Sequence, residues 1–487
     1  MDLNYRTISR IMGTLFLIIG FALLLPFAVG LIYNEYDSST AFLSVAMPCI
    51  LIGVFIVAFI KPGPRQLKRR DGFLIASLSW LFMSLLGALP FVLQGAIPSY
   101  IDAFFETCSG FSTTGASILT DIESLPKSML FWRSFTHWIG GMGILVFAVA
   151  LLPALGVSGQ TIVKSEAPGP VLSKVTPKIS DTAKALYIIY IGFSALETIL
   201  LMFGGMNFYD AVTNAFSTMG TGGFSTYNNS IAAFDSAYVD GVITVFMVLA
   251  GVNFNLYFLA VTTRFKAFLK NTEFKLYILI FAAATSLITI CLFASGTYES
   301  LGESFRYASF QTASILTTTG YATADYCLWP TFAIMLLFLL FFIGGSSSST
   351  GGGIKVVRVA VLLKMIKRSI AVKLHPHALV RIKLDNKVLQ HDTLQEICSF
   401  AFLYITLVFA VGLIVSLNGS DIATSFSAAA SCIGNIGPGM NAIGPTMNYS
   451  IFSSPVKIVL SLSMIAGRLE LFTFMMLIAP RFWNPSH

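Results

Sequence analysis

The chain has 487 residues, 55% of them hydrophobic and only 11% charged, which is too little polar surface to solvate several soluble domains. Its 43 phenylalanines suit a lipid-facing surface better than an enzyme cleft. The net charge of +7 is read along the chain before any nucleic-acid partner is invoked, because basic residues mark the cytoplasmic side of membrane proteins.

In chain order, residues 12–33 form a continuous uncharged stretch after Arg6 and Arg10. The stretch has no small-residue cleavage site and a second span follows, so a first transmembrane helix is expected rather than a signal peptide. Further apolar stretches lie near 39–60, 72–95, 134–156, 185–206, 241–263, 276–296, 331–354, 397–417 and 457–478. Each can cross the ~30 Å of bilayer hydrocarbon as a helix, and strands would leave backbone groups unpaired there. Basic clusters follow the even-numbered spans: Lys61 to Arg70, Lys164 to Lys178, Arg264 to Lys275 and Lys355 to Lys383. The opposite loops carry Asp102, Glu106, Asp121, Glu123, Asp235, Asp240, Glu299, Glu303, Asp325 and Asp421. Both termini are therefore expected in the cytoplasm, and the acidic outer face would concentrate cations. Six scattered cysteines without a CxxC pair suggest neither a disulfide framework nor a zinc site.

Four acidic-side loops are long, moderately apolar and rich in Gly, Ser and Thr: 101–120, 207–227, 303–323 and 420–440. Each opens with about a dozen helix-compatible residues and breaks at a glycine turn, the pattern of a re-entrant half-helix buried against protein. The glycines Gly115, Gly223, Gly320 and Gly437 recur at intervals of 108, 97 and 117 residues. The expected fold is an all-α polytopic membrane protein in which two N-terminal helices precede four helix–pore loop–helix repeats around one pseudo-fourfold pore. The corresponding segments are 1–70, then repeats over 71–183, 184–274, 275–392 and 393–487.

The turns are Thr113-Thr114-Gly115, Thr221-Gly222-Gly223, Thr318-Thr319-Gly320 and Asn435-Ile436-Gly437. Rings of backbone carbonyls replace the hydration shell of a monovalent cation without fixed charge, and glycine reaches the angles that turn consecutive carbonyls inward. The run Thr317 to Tyr321 comes close to the TVGYG filter of potassium channels. Small-residue clusters also serve close helix packing, but four in matched positions favour the filter.

Taken together, FFETCSGFSTTGAS (104–117), FSTMGTGGFST (216–226), SILTTTGY (314–321) and NIGPGM (435–440) resemble the four filter loops of the TrkH/KtrB potassium transporter superfamily, and its TrkH branch in particular. The resemblance covers nearly the whole chain. It implies a gated, channel-like protein for potassium uptake across the bacterial inner membrane, passing K+ and Rb+. It also implies a homodimer with one pore per subunit, and a regulatory cytosolic ring of nucleotide-binding TrkA-type subunits. No cofactor is expected in this chain beyond K+ in the filter. Repeat four departs most, with Asn435 and Ile436 where the others carry Thr or Gly.

The eighth span is interrupted by Gly344, Gly345, Ser346, Ser347, Ser348, Ser349, Thr350, Gly351, Gly352 and Gly353. Polar backbone at membrane depth must line a cavity or pack on protein, so this stretch is either a loop that blocks the pore or a linker just outside the membrane. The resemblance implies an intramembrane gating loop. Arg468, inside the last span, is expected to face the bundle interior, either as a positive residue in the pore or paired with Glu197, since Glu470, two residues on along the same helix, points elsewhere. His137, at the start of the fourth span, is expected at the interface. Enzyme readings fail: the Gly156-Val157-Ser158-Gly159 bend has no later membrane histidine to form a dyad, and no HExxH or P-loop motif occurs. The alternative transport reading is a Na+- or H+-coupled potassium symporter, for which Glu197 is the obvious carboxylate.

Overall fold

Two long apolar helices, α1 (Tyr5–Ile32) and α2 (Tyr36–Phe59), open the chain as a hairpin. They approach closely because Gly13, Gly20 and Gly53 face Ile56, Ile50 and Leu17, leaving no room for a methyl group. Their outer faces, including Leu51, Phe55 and Phe59, remain exposed as a lipid surface requires. The computed structural model describes residues 3–63, 67–143, 179–262, 268, 270–378, 380–385 and 387–483.

One helix order then recurs four times. The first unit is α3 (Arg69–Gln94), α4 (Tyr100–Phe111) and α5 (Lys127–Gly141). The second is α6 (Ile179–Phe203), α7 (Phe208–Gly220), α8 (Ala237–Ala250) and α9 (Phe254–Thr262). The third is α10 (Thr272–Ala294), α11 (Leu301–Leu316), α12 (Thr331–Leu340) and α13 (Val356–Leu374). The fourth is α14 (His391–Ser416), α15 (Ile422–Gly434), α16 (Ser454–Arg468) and α17 (Phe472–Ile478). Among the described residues, six helices are long and apolar enough to cross a membrane, and the bent pair α8–α9 adds a seventh.

The short helices α4, α7, α11 and α15 are the expected half-helices. Each is capped by a side chain at the acidic side: Ser99, Asn207, Ser300 or Asp421 accepts a backbone N–H of the first turn. Their C-terminal halves are buried, so the four meet at the centre of the bundle.

Three spans differ from the expectation of unbroken helices. The sixth bends by 89° at Gly251–Asn253, between α8 and α9. The tenth breaks at Leu469–Leu471, where Glu470 and Leu471 have φ of 53° and 56°. Arg468 thus ends α16 rather than lying mid-helix, and Glu470 lies outside any helix. In the fourth span α5 stops at Gly141; the rest of that span, Lys164 to Lys178 and the Gly156–Gly159 bend lie outside the described residues. The reason is steric. Added methyl groups at Gly140 and Gly467 would overlap the carbonyls of Phe111 and Ile433, each four residues before the glycine of its own turn. Side-chain-free backbone is what lets the two halves of a repeat close there. The basic segment after α13 also holds a small antiparallel hairpin, β1 (Lys383–Leu384) with β2 (Lys387–Val388).

Candidate functional site: a ring of four turns and the loop beneath it

The helices α4, α7, α11 and α15 end at Phe111, Gly220, Leu316 and Gly434, within four residues of the glycines Gly115, Gly223, Gly320 and Gly437. Each turn has the same backbone. Its first residue is left-handed (Thr113 57°, Thr221 51°, Thr318 59°, Asn435 55°), and its glycine is again at positive φ (81°, 78°, 82° and 104°). The residue between them is not in the positive-φ region. The middle residue's N–H closes each turn on a carbonyl five residues back: Thr114 on Ser109 (2.9 Å), Gly222 on Ser217 (2.8 Å), Thr319 on Ser314 (2.8 Å) and Ile436 on Ser431 (2.9 Å).

The four turns form a closed ring. A Cβ added at Gly115 would fall on the carbonyl oxygen of Gly222, and one at Gly223 on that of Thr319. One at Gly320 would fall on that of Ile436, and one at Gly437 on that of Thr114. Each glycine therefore abuts the middle carbonyl of the next turn, and the fourth returns to the first. Despite its different residues, repeat four takes its place through Asn435. Its amide donates to Thr114 Oγ1 (3.0 Å) and to the Met464 carbonyl (2.9 Å).

Behind the ring, polar side chains hold the turns. Ser314 and Ser431 hydroxyls donate to the carbonyls of Tyr321 (2.6 Å) and Gly437 (2.8 Å), and Tyr449 also donates to Gly437 (2.8 Å). The serine six residues before each glycine (Ser109, Ser217, Ser314, Ser431) is a regular signal in the sequence that a search for Thr and Gly passes over. His137 is not interfacial. It is buried, its ring lies 4.1 Å from that of Phe224, and a methyl group at Gly222 would overlap the imidazole.

Several carboxylates assigned to the acidic face are consumed internally. Glu106 is buried, pairs with Arg133 at 2.9 Å, and accepts from Ser117 (2.9 Å) and the Ile118 N–H (2.9 Å). Asp240 pairs with Arg306 (2.7 Å) and Asp102 with Lys457 (2.7 Å), while Asp121, Glu123, Glu299 and Asp421 stay exposed.

The segment 344–353 is not an external linker. Thr350, Gly351 and Gly352 are buried. Methyl groups at Gly351 and Gly352 would press on the carbonyls of Thr317 and Gly434, so the loop lies against the ends of α11 and α15. The Gly352 N–H donates to Thr318 Oγ1 (2.7 Å). Ser346 and Phe254 tie the loop to the break in the second unit, through Ser346 N–H to Gly251 (2.8 Å) and Phe254 N–H to Ser348 (3.1 Å). Gly344 and Gly345 pair with Ile354 and Val356 at the base of the loop (2.9 and 3.2 Å).

Arg468 reaches the same place. Its guanidinium donates to the carbonyls of Thr350 (2.6 Å), Gly140 (2.6 Å) and Gly141 (2.7 Å), linking the loop to the C-terminal end of α5. Glu470 points elsewhere, as its two-residue spacing from Arg468 implies, and pairs with Arg358. Glu197, the expected partner, is buried beside α7. The ring, the loop and Arg468 are therefore brought together from all four units.

The chain matches the TrkH family, described as cation transport proteins, over residues 38–484. It is 36% identical over 486 residues to the Trk system potassium uptake protein TrkH of Salmonella typhimurium, covering 99% of this chain and 100% of that one. It is 34% identical over 487 residues to the Trk system potassium uptake protein TrkG of Escherichia coli K12, covering 99% of each. Among solved structures, the potassium transporter TrkH from Vibrio parahaemolyticus aligns with a TM-score of 0.89 at 34% identity, covering 99% of this chain and 100% of that one. With its full-length matches, its helical spans and its ring of turns, the chain is a multi-pass membrane protein of a transport family rather than an enzyme, and it belongs to the TrkH family of cation transport proteins.

Proposed function

We propose that the chain forms a gated, channel-like pore for potassium uptake across the bacterial inner membrane, selective for K+ and Rb+. The observation that carries this reading is the closed ring in which each turn's glycine abuts the next turn's middle carbonyl. Alternating left-handed and ordinary backbone aligns successive carbonyls, and such uncharged oxygens replace water around a monovalent cation. The half-helices add their negative C-terminal ends. The name potassium uptake protein, carried by relatives that match over the full length, supports potassium as the ion.

In this reading residues 344–353 are the gate, held against the filter by Arg468, and a positive guanidinium there opposes cation passage. Both termini face the cytoplasm. The active unit is a homodimer, and a cytosolic ring of nucleotide-binding TrkA-type subunits sets the opening from the basic side. The test is flux of rubidium, sodium and lithium into liposomes holding the purified protein, with Gly115→Ser alongside. Rubidium flux well above the other two, lost in the variant, is expected; equal fluxes in the native protein would overturn the selective filter.

A Na+- or H+-coupled symporter is the second reading. It is favoured by Glu197, a carboxylate fully buried in a membrane span beside the half-helix α7. Ohmic current steps that persist without a sodium or proton gradient would exclude it.

A further inference from the structure

A groove of about 590 Å³ lies between α12, α14 and α15, within the size range of small-molecule sites. Four phenylalanines line it in two edge-to-face pairs, Phe338 with Phe342 (5.6 Å) and Phe409 with Phe426 (5.1 Å), so its walls are preformed. Val408 and Met440 are buried on its floor, while Met335 and Ile405 stand 53% and 48% exposed at its lipid-facing mouth. It runs alongside α12 from Ile334 to Phe342, roughly 12 Å at the rise of a helix. One leaflet contributes roughly 15 Å of the hydrocarbon core, so the groove has about the depth of a single leaflet. Its acidic-side end is polar. There the Cys327 N–H donates to Asp325 (3.0 Å) and the Asn441 amide to Asp421 (2.9 Å). Asp421 is exposed and Asp325 partly so, and among the described residues neither is in an ion pair. No lysine or arginine lines the groove.

We propose that this groove holds one acyl chain of a phospholipid from the acidic-side leaflet, and that Asp325 and Asp421 select a headgroup carrying a primary ammonium, as in phosphatidylethanolamine. An unfilled void of this size would leave its aromatic lining without contacts on one side, and in a bilayer the apolar group at hand is a hydrocarbon chain. A single flexible chain reaches the buried floor at Val408 and Met440. A helix of a second copy, about 10 Å across, would cover the mouth and leave that floor empty. At the polar end, two unpaired carboxylates attract an ammonium and repel the net negative charge of a phosphatidylglycerol headgroup. The site also backs the fourth unit. Met440 donates its N–H to Ser427 Oγ (2.9 Å), which ties the groove floor to α15. The bound chain therefore packs against the half-helix that carries the turn Asn435-Ile436-Gly437.

The experiment is native mass spectrometry of the purified full chain in detergent, with equal amounts of dioleoyl-phosphatidylethanolamine and dioleoyl-phosphatidylglycerol added. The native protein should retain the first over the second by about threefold, the scale of exposed charge interactions. Ala423→Trp and Met335→Trp fill the groove from two different walls, and each should lose the most tightly held phosphatidylethanolamine. Leu51→Trp, on the exposed face of α2, should keep it. Asp325→Asn combined with Asp421→Asn should bring the two lipids level. Phosphatidylethanolamine that is absent from the native protein, or retained equally by the native protein and both groove variants, overturns the site. Equal retention of the two lipids by the native protein overturns the headgroup assignment, and that comparison needs no variant to fold. Groove variants that turn a dimer into monomers with lipid retention unchanged would give the groove to a second copy and end the proposal. Ion flux enters none of these readouts, so they are independent of the selective-filter reading.

Discussion

Ser347 gives both its backbone N–H (2.6 Å) and its hydroxyl (2.7 Å) to the carboxylate of Glu273, which also accepts the Val357 N–H at 3.2 Å. One buried carboxylate at the start of α10 therefore ties the loop 344–353, at Ser347, to the first turn of α13, at Val357. Its removal by Glu273→Ala orphans two backbone N–H groups, each at a cost of about 1–3 kcal/mol where water cannot reach. The loop should then leave its seat more often. Rubidium flux into liposomes without any cytosolic partner should rise several-fold, with the protein still monodisperse. Unchanged basal flux would show that the loop does not limit passage.

Gly320 and Gly95 separate strain from blockage of the ring. Both have positive φ, 82° and 86°, but an added methyl at Gly95 meets nothing within 4 Å, whereas one at Gly320 falls on the Ile436 carbonyl. Gly95→Ala should lower stability by about 1–2 kcal/mol, the ordinary cost of the left-handed region, and leave ion preference intact. Gly320→Ala should lose preference for rubidium over sodium. Equal behaviour of the two variants in a competition flux assay would remove the steric argument.

The sequence made the ring legible because its chemistry is local. Each turn needs glycine and a small polar residue at fixed spacing after a short amphipathic helix, and those positions are visible in one repeat at a time. The breaks of the sixth and tenth spans were not legible. Gly251 and Gly467 read as ordinary small residues in apolar runs, and their role depends on what they face: Tyr277 with Thr317, and the Ile433 carbonyl. Long-range pairings were equally hidden. Glu106 and Asp240 look like outer-face charges until the fold brings Arg133 and Arg306 to them. Glu273 lies among basic residues, with nothing nearby in sequence to mark Ser347 as its partner.

Arg468 spreads one guanidinium over three carbonyls on two elements. Arg468→Ala should free Thr350 and raise basal conductance. Arg468→Lys keeps the charge but presents a compact ammonium in place of the planar fork. Single-channel records should therefore place Lys between the native protein and Ala if geometry and charge both matter. A lysine variant that matches the native protein would assign the whole effect to charge.

Asp421 caps α15 from the exposed acidic side, bonding the Thr424 hydroxyl and the Asn441 amide (2.9 Å). The Thr424 hydroxyl holds its carboxyl below the ordinary range; burial opposes it with a smaller effect, and the Asn441 amide adds a weaker pull in the same downward direction. A depressed carboxylate contributes stability that is present above its unfolded pKa of about 4 and lost as pH falls through the folded value. Thermal midpoints of the native protein should accordingly drop below about pH 4 by more than those of Asp421→Asn, which keeps a capping oxygen without the charge. Parallel curves for the two proteins would show that the cap acts without its charge.

Glu106 and Arg133 bind the first turn to the second. Besides their own contact, Arg133 donates to the Ser225 carbonyl (3.2 Å) and lies 4.1 Å over the Phe224 ring, while Glu106 fixes the backbone after Gly115. Removing one partner of such a buried pair leaves an uncompensated charge and costs about 3–5 kcal/mol. Replacing both by apolar residues of similar volume removes that charge problem. Arg133→Met should thus lower the thermal midpoint sharply, and Glu106→Leu combined with Arg133→Met should recover much of the loss. Ion preference separates the pair's structural and functional parts. The double variant restores packing but not the two bonds to the turns, so its rubidium-to-sodium flux ratio should stay low at a recovered midpoint. A native flux ratio in the double variant would make the pair a packing element only.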